Sequence, residues 1–164
     1  MKSKSSKKFN VKKIGVGVDY SNICKDYNTM YLDRDNLDPA TAKCMKQVLA
    51  WTKNFLTELL DHFGYKIYNL SSEVPVSIED IAAKRFLFYS LEKEITLQSY
   101  VISDKYIQYP MLSSWEAADN NSILIQNDED GGAVYFYYKE GSKEQEWILS
   151  QLKDFTFDEI PFEH

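Results

Sequence analysis

Apolar positions recur at helical spacing through one long stretch of the chain and alternate at period two through several short ones. Val48, Thr52, Phe55, Leu59 and Phe63, flanked by Met45, Leu49, Leu56 and Leu60, form a broad stripe at a period of about 3.6 residues. Asp38 is placed to cap this run, Pro39 suits the first helical position, and Gly64 supplies the left-handed residue that ends it. The pattern predicts a core helix. A second helix is expected from Ile78 to about Lys93, with Ser77 and Asp80 as its capping box, and a short one through Ala118, capped by Ser113 with Glu116. A last helix is expected after Ser142 and Gln145, with Ile148, Leu152 and Phe155 inward and Trp147 to one side.

Period-two runs predict the strands. Ile14, Val16 and Val18 alternate with Gly15 and Gly17, so the first strand carries a glycine face, expected to admit a closely packed helix. Tyr65 to Leu70 and Ile95 to Ser103 read as two more. Ser122 to Gln126 and Ala133 to Lys139 surround an acidic, Gly-ended turn and predict a hairpin, with Val134, Phe136 and Tyr138 on one face and Tyr135 and Tyr137 on the other. Residues 157 to 164 mix apolar and acidic positions around Pro161 and are expected to lie along the body.

These elements predict an α+β fold with βαβ-like elements: a mixed sheet of about five strands packed with about four helices, ending in a β-hairpin plus helix. The sheet is expected to have three parallel strands extended by the hairpin, and an α/β three-layer sandwich is the alternative. Residues 1 to 8, rich in Lys and Ser, read as a disordered basic tail, and residues 9 to 164 as one globular domain.

Charge sharpens the picture. The formal net charge is -6, and every one of the 25 acids lies after residue 13, against 13 Lys and Arg there. The body is therefore acidic, which disfavours nucleic acid as a partner except through the Lys-rich tail and favours a protein with a basic surface. Twelve Tyr, nine Phe and three Trp are more rings than one core of this size requires, so some are expected at a binding face. No run is long and apolar enough for a membrane span. Cys24 and Cys44 lack any metal-ligand spacing and read as reduced thiols of a cytoplasmic protein.

Two kinds of chemistry compete for the acidic segment after the first strand. Asp19 sits where that strand ends, and together with Asp26, Asp33 and Asp104 it offers carboxylates for a divalent metal and phosphodiester hydrolysis. Asp19-Tyr20-Ser21-Asn22 resembles the opening of PIN-like ribonucleases over about one strand. The second predicted strand, however, ends in Asn69-Leu70-Ser71-Ser72 and supplies no acid. Neither Asp33-x-Asp35 nor Asp128-x-Asp130 has the offsets of an EF-hand calcium loop. His62 and His164 leave no Ser-His or Cys-His arrangement, and His62 reads as a complement to its helix C-terminus. The reading these residues favour is a non-catalytic acidic protein-binding module of inhibitor, immunity, anti-defence or adaptor type, with no cofactor. Its expected binding residues are Tyr20, Asp26, Tyr27, Tyr31, Asp33, Asp35, Asp128, Asp130, Tyr135 and Tyr137.

Overall fold

The structure, a computed structural model, describes residues 12–25, 39–70, 72–79, 99–127 and 132–162. Strands β1 (Lys13–Asp19), β2 (Lys66–Asn69), β3 (Ser99–Ser103), β4 (Ile123–Asn127), β5 (Ala133–Lys139) and β6 (Glu159–Pro161) form one sheet in the order β2-β3-β4-β5-β1-β6. Helices α1 (Pro39–Phe63), α2 (Leu112–Ala117) and α3 (Lys143–Gln151) accompany it, and Tyr20–Asn22 make a 3-10 turn after β1. The α+β class expected from the periodicity holds. The expected parallel strands do not, because every neighbouring pair is antiparallel.

β1 shows why. It pairs along its whole length with β5, placing Gly15 opposite Tyr137 and Gly17 opposite Tyr135. A Cβ at either glycine would run into the facing tyrosine ring. The glycine face thus admits cross-strand rings rather than the helix expected there, and this fit belongs to β5 alone. The crossover through α1 then carries the chain from β1 to β2 at the far edge of the sheet.

Alternation divides the side chains between two cores. Ile14, Val16, Val18, Ile102, Ile125, Val134, Phe136 and Tyr138 face α1, whose Val48, Phe55, Leu56 and Leu59 are buried, and α3, whose Ile148 is buried with Leu152 just beyond. Val101, Leu124 and Tyr137 face the other way and gather Tyr109, Trp115 of α2 and Phe162 into a smaller core. The C-terminal segment expected to lie along the body supplies an edge strand. Glu159 accepts hydrogen bonds from the Tyr138 hydroxyl and the Gln145 side chain, each 2.8 Å, which fastens β6 to β5 and α3.

Helix ends follow local rules with one exception. Gly64, at φ 71°, ends α1 and donates to the Leu60 carbonyl. Ser142 caps α3 by accepting from Gln145 N, and the Gln145 side chain accepts from Gly141 N. The expected Ser113–Glu116 cap is not formed. Met111 is the N-cap, and its backbone is bonded by the Ser114 hydroxyl instead. Asp38, most of the expected second helix, the start of the strand expected from Ile95 and the basic tail lie outside the described residues.

Cys24 and Cys44 form a disulfide that ties the turn after β1 to the start of α1. Reduced thiols were expected from their number. A pair twenty residues apart in sequence meets because β1 and α1 lie against each other, and this withdraws the support that free thiols lent to a reducing compartment. Among the described residues, no helix is long and apolar enough to cross a membrane.

Candidate functional site

The antiparallel order gives the sheet two chemically different ends. At one end lie Asp19 and the 3-10 turn. At the other meet the start of β1, the end of β5, the end of β3, the starts of β2 and β4, and the N-terminus of α3. Asp19 is exposed at the first end, whereas Asp104 follows β3 at the second, a strand length or roughly 20 Å away. A parallel sheet would have brought them together. The antiparallel one separates them, so Asp19 and Asp104 cannot share a metal ion, while Asp26 and Asp33 of the phosphodiesterase reading lie outside the described residues. Among the described residues no group of three His, Cys, Asp or Glu could hold a metal ion.

Several expected binding residues are also relocated. Tyr20 is 1% exposed and Tyr137 7%, each inside a core, because the turn after β1 and the C-terminal segment fold over them. Tyr135 remains half-buried and stacks on Tyr137 with centroids 6.1 Å apart. Asp26, Tyr27, Tyr31, Asp33, Asp35, Asp128 and Asp130 lie outside the described residues.

Several partly exposed rings line a seam between α1 and α3. Trp51, Phe55, Glu58 and His62 fall on one stripe of α1 at steps of four, three and four residues. Trp51 stacks on Phe55 at 5.0 Å and meets Phe155 at 5.6 Å. From α3, half-buried Trp147 inserts between Phe55, Phe63 and His62, and the exposed imidazole stacks on it at 5.3 Å. Glu58, Asp61, Glu146 and Asp154 are exposed on the elements that form the seam, and none has an ion-pair partner among the described residues. The outcome is a ring-bearing strip bordered by acids. Its signal was present in the stripe 51, 55, 58, 62, but only the packing of α3 against α1 adds Trp147.

The second feature is a polar cleft of about 350 Å³ at the lysine-rich end of the sheet. The Tyr65 hydroxyl forms one wall and donates to Glu144 Oε2 at 2.6 Å. Burial, then this bond, pushes the phenol above its ordinary range. Glu144 is wholly buried, and its Oε1 has no hydrogen-bond partner among the described residues. Beneath lies a chain of bonds: Trp115 Nε1 donates to Ser122 Oγ (2.9 Å), Ser122 Oγ to Asn120 Oδ1 (2.7 Å), and Asn120 Nδ2 to Tyr109 OH (2.7 Å). Lys13 is buried over the Trp115 ring at 4.5 Å and donates to the Asn120 carbonyl. Burial, aided by Lys139, lowers its pKa to about 8 against the opposing pull of Asp119 and Glu144. Lys139 is itself bonded to Asp119 at 2.6 Å, which holds that exposed carboxyl below its usual range.

No protein-family model matches this sequence, and no curated protein or solved structure matches it either.

Proposed function

We propose that the chain is a non-catalytic acidic binding module that recognises another protein through the seam between α1 and α3, in the manner of an inhibitor, immunity, anti-defence or adaptor protein. The observation that carries this reading is Trp147, held half-buried among Phe55, Phe63 and His62 beside exposed carboxylates. Trp and Tyr anchors with a charged rim dominate many protein interfaces, because the ring contributes desolvated area while the rim excludes water and steers encounter. The rim here is acidic and so is the body as a whole, which selects a partner with a basic surface.

The test is capture of a stoichiometric partner from the native host, followed by titration with purified variants. Glu58→Lys with Glu146→Lys alters only exposed charges and should weaken association at least about tenfold at low salt, through a slower on-rate, with the melting temperature unchanged. Trp147→Phe keeps the fold and should weaken association through a faster off-rate. Equal affinity of the charge-reversed and native proteins for that partner, or no stoichiometric partner at all, would remove the reading.

A further inference from the structure

The cleft at the lysine-rich end stands apart from the seam and has chemistry of its own. The segments that meet there carry Lys12, Lys13, Lys66, Lys105, Lys139 and Lys143, a concentration of lysine in a body that is otherwise acidic, together with Asp104, Asp119, Glu140, Glu144 and Glu146. Lys139 is bonded to Asp119, and Lys12 faces Glu140 at 3.9 Å. The buried Lys13 and Glu144 attract each other, and neither lines the cleft. Lys66, Lys105 and Lys143 remain, and Lys66 does not line the cleft, which leaves Lys105 and Lys143 as its cations. Both line the cleft, both are exposed, and neither has an acidic partner among the described residues.

Around these two cations the lining is already organised. Asn120 and Ser122 are held by the bonds that run to Tyr109 and Trp115, and Tyr65 is fixed by Glu144. Asn121 lines the cleft with its amide unengaged among the described residues, and Ile107 is the apolar contribution. Ser103 donates to Asp104 Oδ1 at 3.3 Å, leaving the other carboxylate oxygen to accept from a ligand hydroxyl. The volume lies at the lower end of the roughly 300 to 1,000 Å³ typical of ligand sites, and a polar lining of this kind suits a small polar molecule.

We infer that this cleft binds a small organic anion, its phosphate or carboxylate group held between Lys105 and Lys143 and its hydroxyls by Asp104 and Asn121. Lysine side chains serve either anion as point charges, so the two sources share one recognition chemistry. The inference does not depend on the protein-binding seam.

Calorimetric titration of the full chain at low salt with glycerol 3-phosphate, with glycerate and with glycerol decides the matter. Binding of either anion with a dissociation constant below about 1 mM, with glycerol silent, is the expected result, and the anion that binds identifies the source. Lys105→Gln with Lys143→Gln should weaken it about tenfold or more, since both charges contribute directly. Lys153→Gln, an exposed change beyond α3, should leave it as it is. The inference is overturned if neither anion binds, if glycerol binds equally well, or if the double variant binds like the native chain.

Discussion

Lys13 is a buried lysine whose chemistry departs from its type. Its folded pKa, about 8, lies below the ordinary lysine value of 10.5, so between these limits the unfolded chain holds more protons than the folded one. Stability contributed at this position therefore rises as pH increases from about 8 to about 10.5. The difference in unfolding free energy between the native protein and Lys13→Met, measured by denaturant titration, should grow in favour of the native protein across that window. A flat difference would mean that the amine is solvated. Glu144 supplies a second expectation at this scale. In Tyr65→Phe its carboxylate loses the one bond its Oε2 makes, which should cost about 1 to 3 kcal/mol. Removing the unpaired buried charge with Glu144→Gln in the same background should recover part of the loss. None of this was legible in the sequence, where Lys13 is the last lysine of an acid-free start and nothing local marks Glu144 for burial. Burial of both follows from β1, α2 and α3 converging on one end of the sheet.

Among the elements, β1 and β5 were recognisable from alternation, and their facing was not. The difference lies in Gly15 and Gly17. At Gly15 an added Cβ meets the Tyr137 ring and the Phe136 carbonyl oxygen, and neither a backbone atom nor a ring packed against Phe162 yields readily. At Gly17 it meets ring atoms of the half-buried Tyr135 and no backbone atom. Gly15→Ala should thus destabilise by about 1 to 3 kcal/mol and Gly17→Ala by distinctly less, as read from chemical denaturation. Edge strand β6 shows the same dependence on context. Three residues around a proline carry almost no strand signal, yet Phe162 beyond them fills the space between Trp115 and Tyr137 at 5.1 and 4.8 Å. Phe162→Ala should cost about 3 to 5 kcal/mol and red-shift tryptophan emission as water reaches Trp115. Helix α1, by contrast, was legible with its stripe and its C-terminal glycine, because helical periodicity and capping are written within a few residues of each other.

For the molecule as a whole, the disulfide joins the turn that leaves β1 to the helix that crosses the sheet. A link across a sequence separation of 20 restricts the unfolded chain by about 3 kcal/mol in the loop-entropy description. Reduction, or Cys24→Ser with Cys44→Ser, should lower stability by about that amount, measured as a shift in denaturation midpoint with and without reductant. An unchanged midpoint would contradict the link.

Length, periodicity and charge together determined that this chain packs an antiparallel hairpin and amphipathic helices into an α+β structure with an acidic surface, since each is a property of composition or of neighbours in sequence. Tertiary structure alone decided which strands pair, that the two cysteines meet, that Tyr20 and Tyr137 are buried, and that Asp19 and Asp104 stand at opposite ends of the sheet. It also assembled the tryptophan seam and the lysine cleft from residues up to 107 positions apart. The physical reason is one of range: capping and alternation act over a few residues, whereas strand order and the meeting of side chains depend on surface complementarity, such as tyrosine rings over glycines, that no local window contains.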